Sequence, residues 1–320
     1  MLYVMPIIIG FILDAMFGDP HNMPHPVRLM GVCISRLNDK FRTDKSKDLK
    51  NGRLLVLIML GGSFLASLLL VVLFYVLFPP IGAILEGILC YYCLAARSLL
   101  DESMKVHNHL KDGYISDAKA DLSMIVGRDT ADLDEEGIVR AAVETVAENT
   151  SDGVTAPLFY IMIGGAPLAF LYKAANTLDS MVGYKNEEYI NYGRAAAKTD
   201  DFLNFIPSRL TALFMCAAAA IVKLDAKSAY RIWKRDGKKH ESPNSAQTEA
   251  ACAGALGVQL GGDAYYSGEL HHREFIGDDK NEIHFEDIKS ANKLMYATSG
   301  LFLIAVCVIR AVVITLIQMI

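Results

Sequence analysis

The sequence predicts an all-α fold, a polytopic integral membrane protein with about 4–6 membrane-embedded helical segments, some of them re-entrant, and helical cytoplasmic polar blocks. Three observations carry this prediction. Hydrophobic residues fill 52% of 320 positions and mean hydropathy is +0.28, high for a water-soluble chain. Charged residues still reach 21%, which an apolar membrane core with large polar segments reconciles. Residues 54–78 also run without one charge, and at about 1.5 Å per residue they exceed a hydrocarbon core of about 30 Å. The chain reads as a single membrane-embedded domain over residues 1–320.

The elements follow in order. Tyr3 to Phe17 is a short apolar stretch. It lacks a basic leader and holds Pro6 and Asp14, so it is not expected to be a cleaved signal peptide. Residues 18–28, with Pro20, Pro24 and Pro26, form a turn that cannot continue a helix. His21 and His25 there are metal-ligand types without a visible third ligand, and Arg28 is suited to an anion. A basic tract from Arg36 to Arg53 precedes the charge-free run, and such flanks stay cytoplasmic. Leu54 to Phe78, Pro79-Pro80 and Ile81 to Ala96 read as a helical hairpin with a very short outer turn. Cys90 and Cys93 sit inside that second apolar run and read as buried small side chains. The six cysteines imply no disulfide framework.

Leu133 to Asn149 has Ile138, Val139, Ala142, Val143 and Val146 at helical spacing. Thr155 to Tyr172 is interrupted by Gly164-Gly165 and Pro167. A full crossing there would put the polar segment Lys173 to Asp201 outside, so a broken or re-entrant hairpin is expected. Phe202 to Leu224 is a further apolar stretch. Ser242-Pro243 reads as N-cap and first residue of a small-residue helix to about Ala255. Leu294 to Ile320 is the last span, with Arg310 facing a partner helix or snorkelling. No alternating strand pattern of any length is visible. The net charge of −5, without a long basic run, argues against nucleic acid as a partner.

Three clusters carry residue types suited to chemistry. Glu136, Arg140, Glu144 and Glu148 form one stripe opposite the valines, running into Asn149, Ser151, Asp152 and Gly153. A stripe of this kind is either a solvated, ion-paired face or, at a membrane boundary, a set of oxygen ligands for a hard cation such as Mg²⁺. The second cluster holds Lys173, Asn176, Asp179, Ser180, Gly183 and Lys185, followed by Asp200, Asp201, Asn204 and Arg209. Asn176 with Asp179, and Asp201 with Asn204, share helix faces. They suit Mg²⁺ and phosphate, or act as caps and interhelical polar contacts. The third runs from Trp233 through Arg235 and His240 to Ser242 and Asn244, then Glu249. A helix N-terminus with cations upstream is an anion site, and His240 has a pKa range suited to a general base. No Walker-type phosphate loop occurs anywhere.

These strings together resemble the CbiB/CobD family of cobalamin biosynthesis membrane proteins, the adenosylcobinamide-phosphate synthases. The resemblance rests on GDPHNMPHPVRLMG (18–31), GRDT (127–130), RAAVETVAENTSDGVTAPLFY (140–160) and YKAANTLDSMVGYKN (172–186). TDDFLNFIPSRLTA (199–212), RDGKKHESPNS (235–245) and EAACAGALGVQLGG (249–262) complete it. The strings stand in family order as far as about residue 268; Ser208 and Ser245-Ala246 depart from the pattern without touching a reactive group. The resemblance implies ATP-dependent amide ligation of adenosylcobyric acid with (R)-1-amino-2-propanol or its O-phosphate, using ATP and Mg²⁺. On that reading Glu144, Glu148, Asp152 and Asp201 are metal candidates, with Asp179 beside them as a catalytic candidate. Arg28, Arg128, Lys173, Asn176, Lys185, Arg209, Arg235, Ser242 and Asn244 are expected to bind substrate or phosphate. His240 is the expected base and Glu249 its alternative. The cytoplasmic face of the inner membrane is the expected side, because ATP is there. Membrane lipid is an expected partner, with a homo-oligomer or other cobalamin-pathway membrane enzymes as further ones. From the residues alone, two rivals stand: a Mg²⁺-dependent membrane transferase acting on a diphosphate, and a non-enzymatic corrinoid or cobalt transporter.

Overall fold

The structure, a computed structural model, describes residues 3–20, 24–42, 44–184, 189–266 and 268–319. In chain order the helices are α1 (Met5–Phe17), α2 (Pro26–Phe41), α3 (Asp48–Leu77), α4 (Pro79–Tyr91), α5 (Ala96–Lys111) and α6 (Ile115–Ser123). Then come α7 (Glu135–Asn149), α8 (Ala156–Val182), α9 (Arg194–Ile221), α10 (Ala226–Asp236) and α11 (Ser245–Leu256). Short strands β1 (Leu260–Gly261), β2 (Ala264–Tyr266), β3 (Glu269–His271) and β4 (Phe275–Ile276) precede α12 (Glu286–Gln318). Among the described residues, five helical stretches are long and apolar enough to cross a membrane: Lys45–Leu77, Pro79–Lys111, Glu135–Val182, Arg194–Ile221 and Glu286–Gln318. The expectation of an all-α polytopic membrane protein holds. On α3, Leu57, Leu69, Val76 and Leu77 are each about 70% exposed or more, an outer face that lipid tolerates and water does not.

The chain divides into two compact units, Met1–Ala95 with Ala156–Asn204 and Leu303–Ile320, and Ala96–Thr155 with Phe205–Phe302. In the first unit α3 packs on α8 and α4, α1 on α4, and α2 on α8 and α3. Only Phe78 separates α3 from α4, the short turn that Pro79-Pro80 dictates. The second apolar run is shorter than expected, because α4 stops at Tyr91 and α5 begins afresh at Ala96. Gly87 lets α1 and α4 approach closely, since a Cβ there would stand 2.7 Å from Ile9.

The interruption expected in Thr155 to Tyr172 is present: Gly164 and Gly165 leave helical geometry within α8, Gly165 at φ +66°. A broken helix frees backbone groups that lipid cannot satisfy. Arg310 of α12 donates to the carbonyls of Ile161 and Met162, at 3.0 Å for the latter. Glu86 Oε1 accepts the Ala166 amide at 3.2 Å, and Tyr75 donates to Glu86 Oε2 at 2.8 Å. Arg310 therefore faces a partner helix, and its role is to close that gap.

In the second unit α5, α6 and α7 pack together and α11 lies against α10 and α7, around a core that includes Val106, Leu122, Ile138, Val143 and Ile232. Every residue of α11 is buried. Its alanines and Gly254 permit this, since a Cβ at Gly254 would lie 2.5 Å from the Ser228 carbonyl oxygen. The start of α11 corrects the sequence expectation: the N-cap is Asn244, not Ser242. Ser242 Oγ instead accepts the Asn244 amide at 3.3 Å, making a side-chain turn before the helix. The strands are as short as the lack of any extended alternating pattern implies. β1 pairs antiparallel with β4 and β2 with β3, and elements of two or three residues are too short to show alternation.

Candidate active site

Helix α7 positions the centre of the second unit. Asp134 caps it by accepting the Gly137 amide at 2.8 Å, and its polar stripe runs from solvent into the interior. Glu136 is exposed and lies 4.0 Å from Arg140, whereas Glu144, two turns on, is only 2% exposed. A buried carboxylate must be paired. Arg128 bonds Glu144 directly, Arg273 Nη1 donates to it at 3.3 Å, and the Gly261 amide donates at 2.6 Å. The GRDT loop that presents Arg128 is tied down by the Asp129 amide on the Tyr265 carbonyl at 2.8 Å, and by Asp129 accepting the Gly268 amide at 2.7 Å. The β ladders thus deliver both Arg273 and the Gly261 amide.

Glu249, on buried α11, faces Arg273 Nη2 at 3.6 Å. Burial first, then the Glu144 and Glu148 carboxylates, push its carboxyl well above the usual range against the opposing pull of Arg273 and Arg128, which favours the acid form. Its Oε2 and the Nε of Arg273 are buried without a hydrogen-bond partner. Such orphaned groups need an explanation, and a substrate is one. Glu148 Oε1 accepts from Ser245 Oγ at 2.7 Å, joining the end of α7 to the start of α11. A π-helical turn, Thr150–Thr155, follows α7 directly and carries Asp152; such turns recur at functional sites.

His240 Nδ1 accepts the Ser242 amide at 3.0 Å. Burial, and then the Arg273 guanidinium, lower its pKa against the opposing pull of Glu148, Glu144 and Glu241. The ring is therefore neutral at pH 7 with its proton on Nε2, which makes that nitrogen a donor. A role as base needs Nδ1 released first. Arg209 braces the same turn: Nη1 donates to Asn244 Oδ1 at 3.2 Å and to the Phe205 carbonyl at 2.7 Å, and Nη2 to the Pro243 carbonyl at 3.1 Å.

Glu144, Glu148, Glu249, Arg128 and His240 are thus brought together, with Arg209, Ser242, Asn244 and Asp152 in the same unit. Arg235 is engaged elsewhere, with Asp236 at 2.7 Å and Asp278 at 2.6 Å. Lys173, Asn176, Asp179 and Asp201 lie in the first unit on α8 and α9. There Asp200 shares a face with Asn204. It accepts from Asn204 at 3.0 Å and stands 3.5 Å from Asn176 Nδ2, and Tyr172 donates to Asn204 at 2.9 Å. Arg28 is exposed, 3.5 Å from the Pro20 carbonyl, and His25 pairs with Asp19 at 3.0 Å while capping α2. Lys185 and His21 lie outside the described residues. Arg273 escaped sequence reasoning because it stands beyond the matched strings, 129 positions from Glu144. Its one signal is a lone arginine in a polar His-His-Arg-Glu stretch.

The family model described as CobD/Cbib protein matches residues 7–295. The chain belongs to the CobD/Cbib family. It is 47% identical over 307 residues to the cobalamin biosynthesis protein CobD of Clostridium perfringens, covering 96% of this chain and 98% of that one. The protein of the same name from Geobacter metallireducens is 45% identical over 306 residues, covering 96% of each chain. That from Citrobacter koseri is 41% identical over 310 residues, covering 96% of this chain and 97% of that one. No solved structure matches the chain. As a CobD/Cbib member the protein has a role in cobalamin biosynthesis, and the carboxylate–arginine cluster lies within the matched residues.

Magnesium can be weighed against these donors. Glu144 has its oxygens engaged by two arginines and an amide. Among the described residues no group of three or more His, Cys, Asp or Glu side chains converges as a metal cage. Glu148, in the last turn of α7, and Asp152, on the π-helical turn after it, are the carboxylates that could hold a hard cation needing only one or two protein ligands.

Proposed function

We propose that the protein is the ATP-dependent amide ligase joining adenosylcobyric acid to aminopropanol or its O-phosphate. The observation that carries the reading is the orphaned pair within a cobalamin-family cluster: a buried guanidinium N–H on Arg273 beside the buried Glu249 carboxyl, whose acid form burial favours. Together they offer hydrogen bonds to an anionic carboxylate or phosphate in a site with little water.

A carboxylate is a poor electrophile, so one of its oxygens must first become a leaving group. Phosphorylation by ATP does this. The amine nitrogen then attacks the acyl carbon, the C–O bond electrons depart with phosphate, and the amine's proton passes to the departing phosphate oxygen. Arg128 and Arg273 hold the anionic oxygens, kept rigid by their shared hold on Glu144. The Nε2–H of His240 and the Glu249 proton are the donors for charge developing on the acyl oxygen. Glu148 and Asp152 would hold the magnesium, which supplies charge neutralisation on the phosphates.

The test uses detergent-solubilised protein with adenosylcobyric acid labelled with oxygen-18 in its free carboxyl group, Mg-ATP and aminopropanol phosphate. The expected outcome is an ATP-dependent corrinoid product heavier by the amine minus water, with the label appearing in inorganic phosphate. Absence of amide product from folded protein with either amine would return the diphosphate transferase to first place.

A further inference from the structure

Within the second unit a cavity of about 600 Å³ opens between α5, the end of α9 and the first turns of α12. Its walls are apolar, formed by Leu100, Met104, Ile221, Val222 and Tyr296. Lys223, Lys289 and Lys293 also line it. Lys223 follows the last turn of α9, and the other two stand one turn apart near the start of α12. Both helices are long and apolar enough to cross a membrane, so the three ammonium groups lie where spans end, at the level of lipid headgroups.

Among the described residues that charge is offset only at Lys289. Among the described residues neither Lys223 nor Lys293 has an ion-pair partner, and Lys289 reaches Glu286 only at 3.9 Å. Lys223 is held at φ +62°, a conformation uncommon for a residue with a side chain. A second observation points the same way. Asn292 lines the cavity, 2% exposed, and spends its Nδ2 on Ser103 Oγ at 2.8 Å and the Ile288 carbonyl at 2.9 Å. Its Oδ1 is buried with no donor, and a buried acceptor of that kind calls for a hydroxyl or amine from a ligand.

We propose that this cavity binds one anionic glycerophospholipid of the phosphatidylglycerol type, its acyl chain along the apolar walls, its phosphate among the lysines and a headgroup hydroxyl on Asn292. A zwitterionic lipid would bring its own cation against three ammonium groups. A water-soluble anion would leave the apolar walls uncovered. The inference does not rest on the ligase reading, since no residue assigned to the ligation lines the cavity.

Native mass spectrometry and thermal melting of the full chain in neutral detergent, titrated with phosphatidylglycerol or phosphatidylcholine, test it. Wild type should hold one phosphatidylglycerol through detergent exchange and melt several degrees higher with it, with little response to phosphatidylcholine. Each of Lys223→Gln, Lys289→Gln and Lys293→Gln, all at exposed positions, should weaken binding about five-fold. Met104→Trp should abolish binding by filling the cavity with every lysine intact. Equal binding of both lipids by wild type would overturn the proposal, as would phosphatidylglycerol binding unchanged in the lysine variants and in Met104→Trp. Displacement of the lipid by adenosylcobyric acid would overturn it too, and give the cavity to a corrinoid.

Discussion

Burying a third carboxyl beside Glu144 and Glu148 costs more as an anion than as an acid, which raises the pKa of Glu249 and favours its acid form. The sign of the resulting pH dependence follows. A carboxyl whose folded pKa is raised contributes its stability below the unfolded value, near 4.5, and loses it progressively as pH rises toward the folded value. Glu249→Gln, a mimic of the protonated acid, should therefore lose less stability than wild type in melts as pH is raised above the unfolded value of 4.5. The His240 donor is tested by a different pair. Gln at 240 restores an N–H near the Nε2 position and should stay within about tenfold of wild-type turnover, whereas Phe should fall by about a hundredfold. A general base would show the reverse symptom, Gln and Phe equally inactive. Sequence supplied the identities of His240 and Glu249 but not their protonation. That depends on the Ser242 amide at 3.0 Å and on Arg273, which spacing along the chain does not encode.

Two elements carry the most consequence for folding. Asp236 ends α10 fully buried, held by Arg235, Lys239 and the Gly277 amide. Burial opposes its ionisation, yet those hydrogen bonds win and hold the carboxyl down to about 2. Its stabilisation is thus present above the unfolded value of 3.8 and lost as pH falls toward 2. Asp236→Asn should cost about 1–2 kcal/mol in urea unfolding, because it weakens the acceptor for the buried Gly277 amide and removes the charge that the half-exposed Arg235 and Lys239 pair with. In α8, Gly165→Ala places a Cβ against Glu86 Oε1 at a left-handed φ of +66°, and the detergent melt should drop by the equivalent of about 2 kcal/mol or more. The break itself was legible from Gly164-Gly165 and Pro167. Its closure by Arg310 and Glu86 was not, because neither residue is near it in sequence. The helix at Ser245 was legible to within a turn, while strands of two or three residues left no periodic trace.

For the molecule as a whole, the charge-free run from Leu54 made the membrane class readable at once, since no soluble helix could hide it. Side rests on the basic flank from Arg36 to Arg53 and needs its own test. The ligase reading needs ATP, so the loop between α10 and α11 should face the cytoplasm. Lys238, exposed in that loop, reports on it: in a cysteine-free background, Lys238→Cys should resist a membrane-impermeant maleimide in intact cells and react in inverted vesicles. Labelling in intact cells would put the cluster where no ATP is found and remove the ligase.

The staple on α8 also fixes a timetable. Arg310 is made 149 residues after Ile161, so during synthesis the gap in α8 waits inside the bilayer with two carbonyls unanswered until the last helix arrives. Chains arrested before that point are incomplete at the one place lipid tolerates least. Their α8 carbonyls at Ile161 and Met162 lack the partner that Arg310 supplies, so α12 completes α8 as well as adding a span.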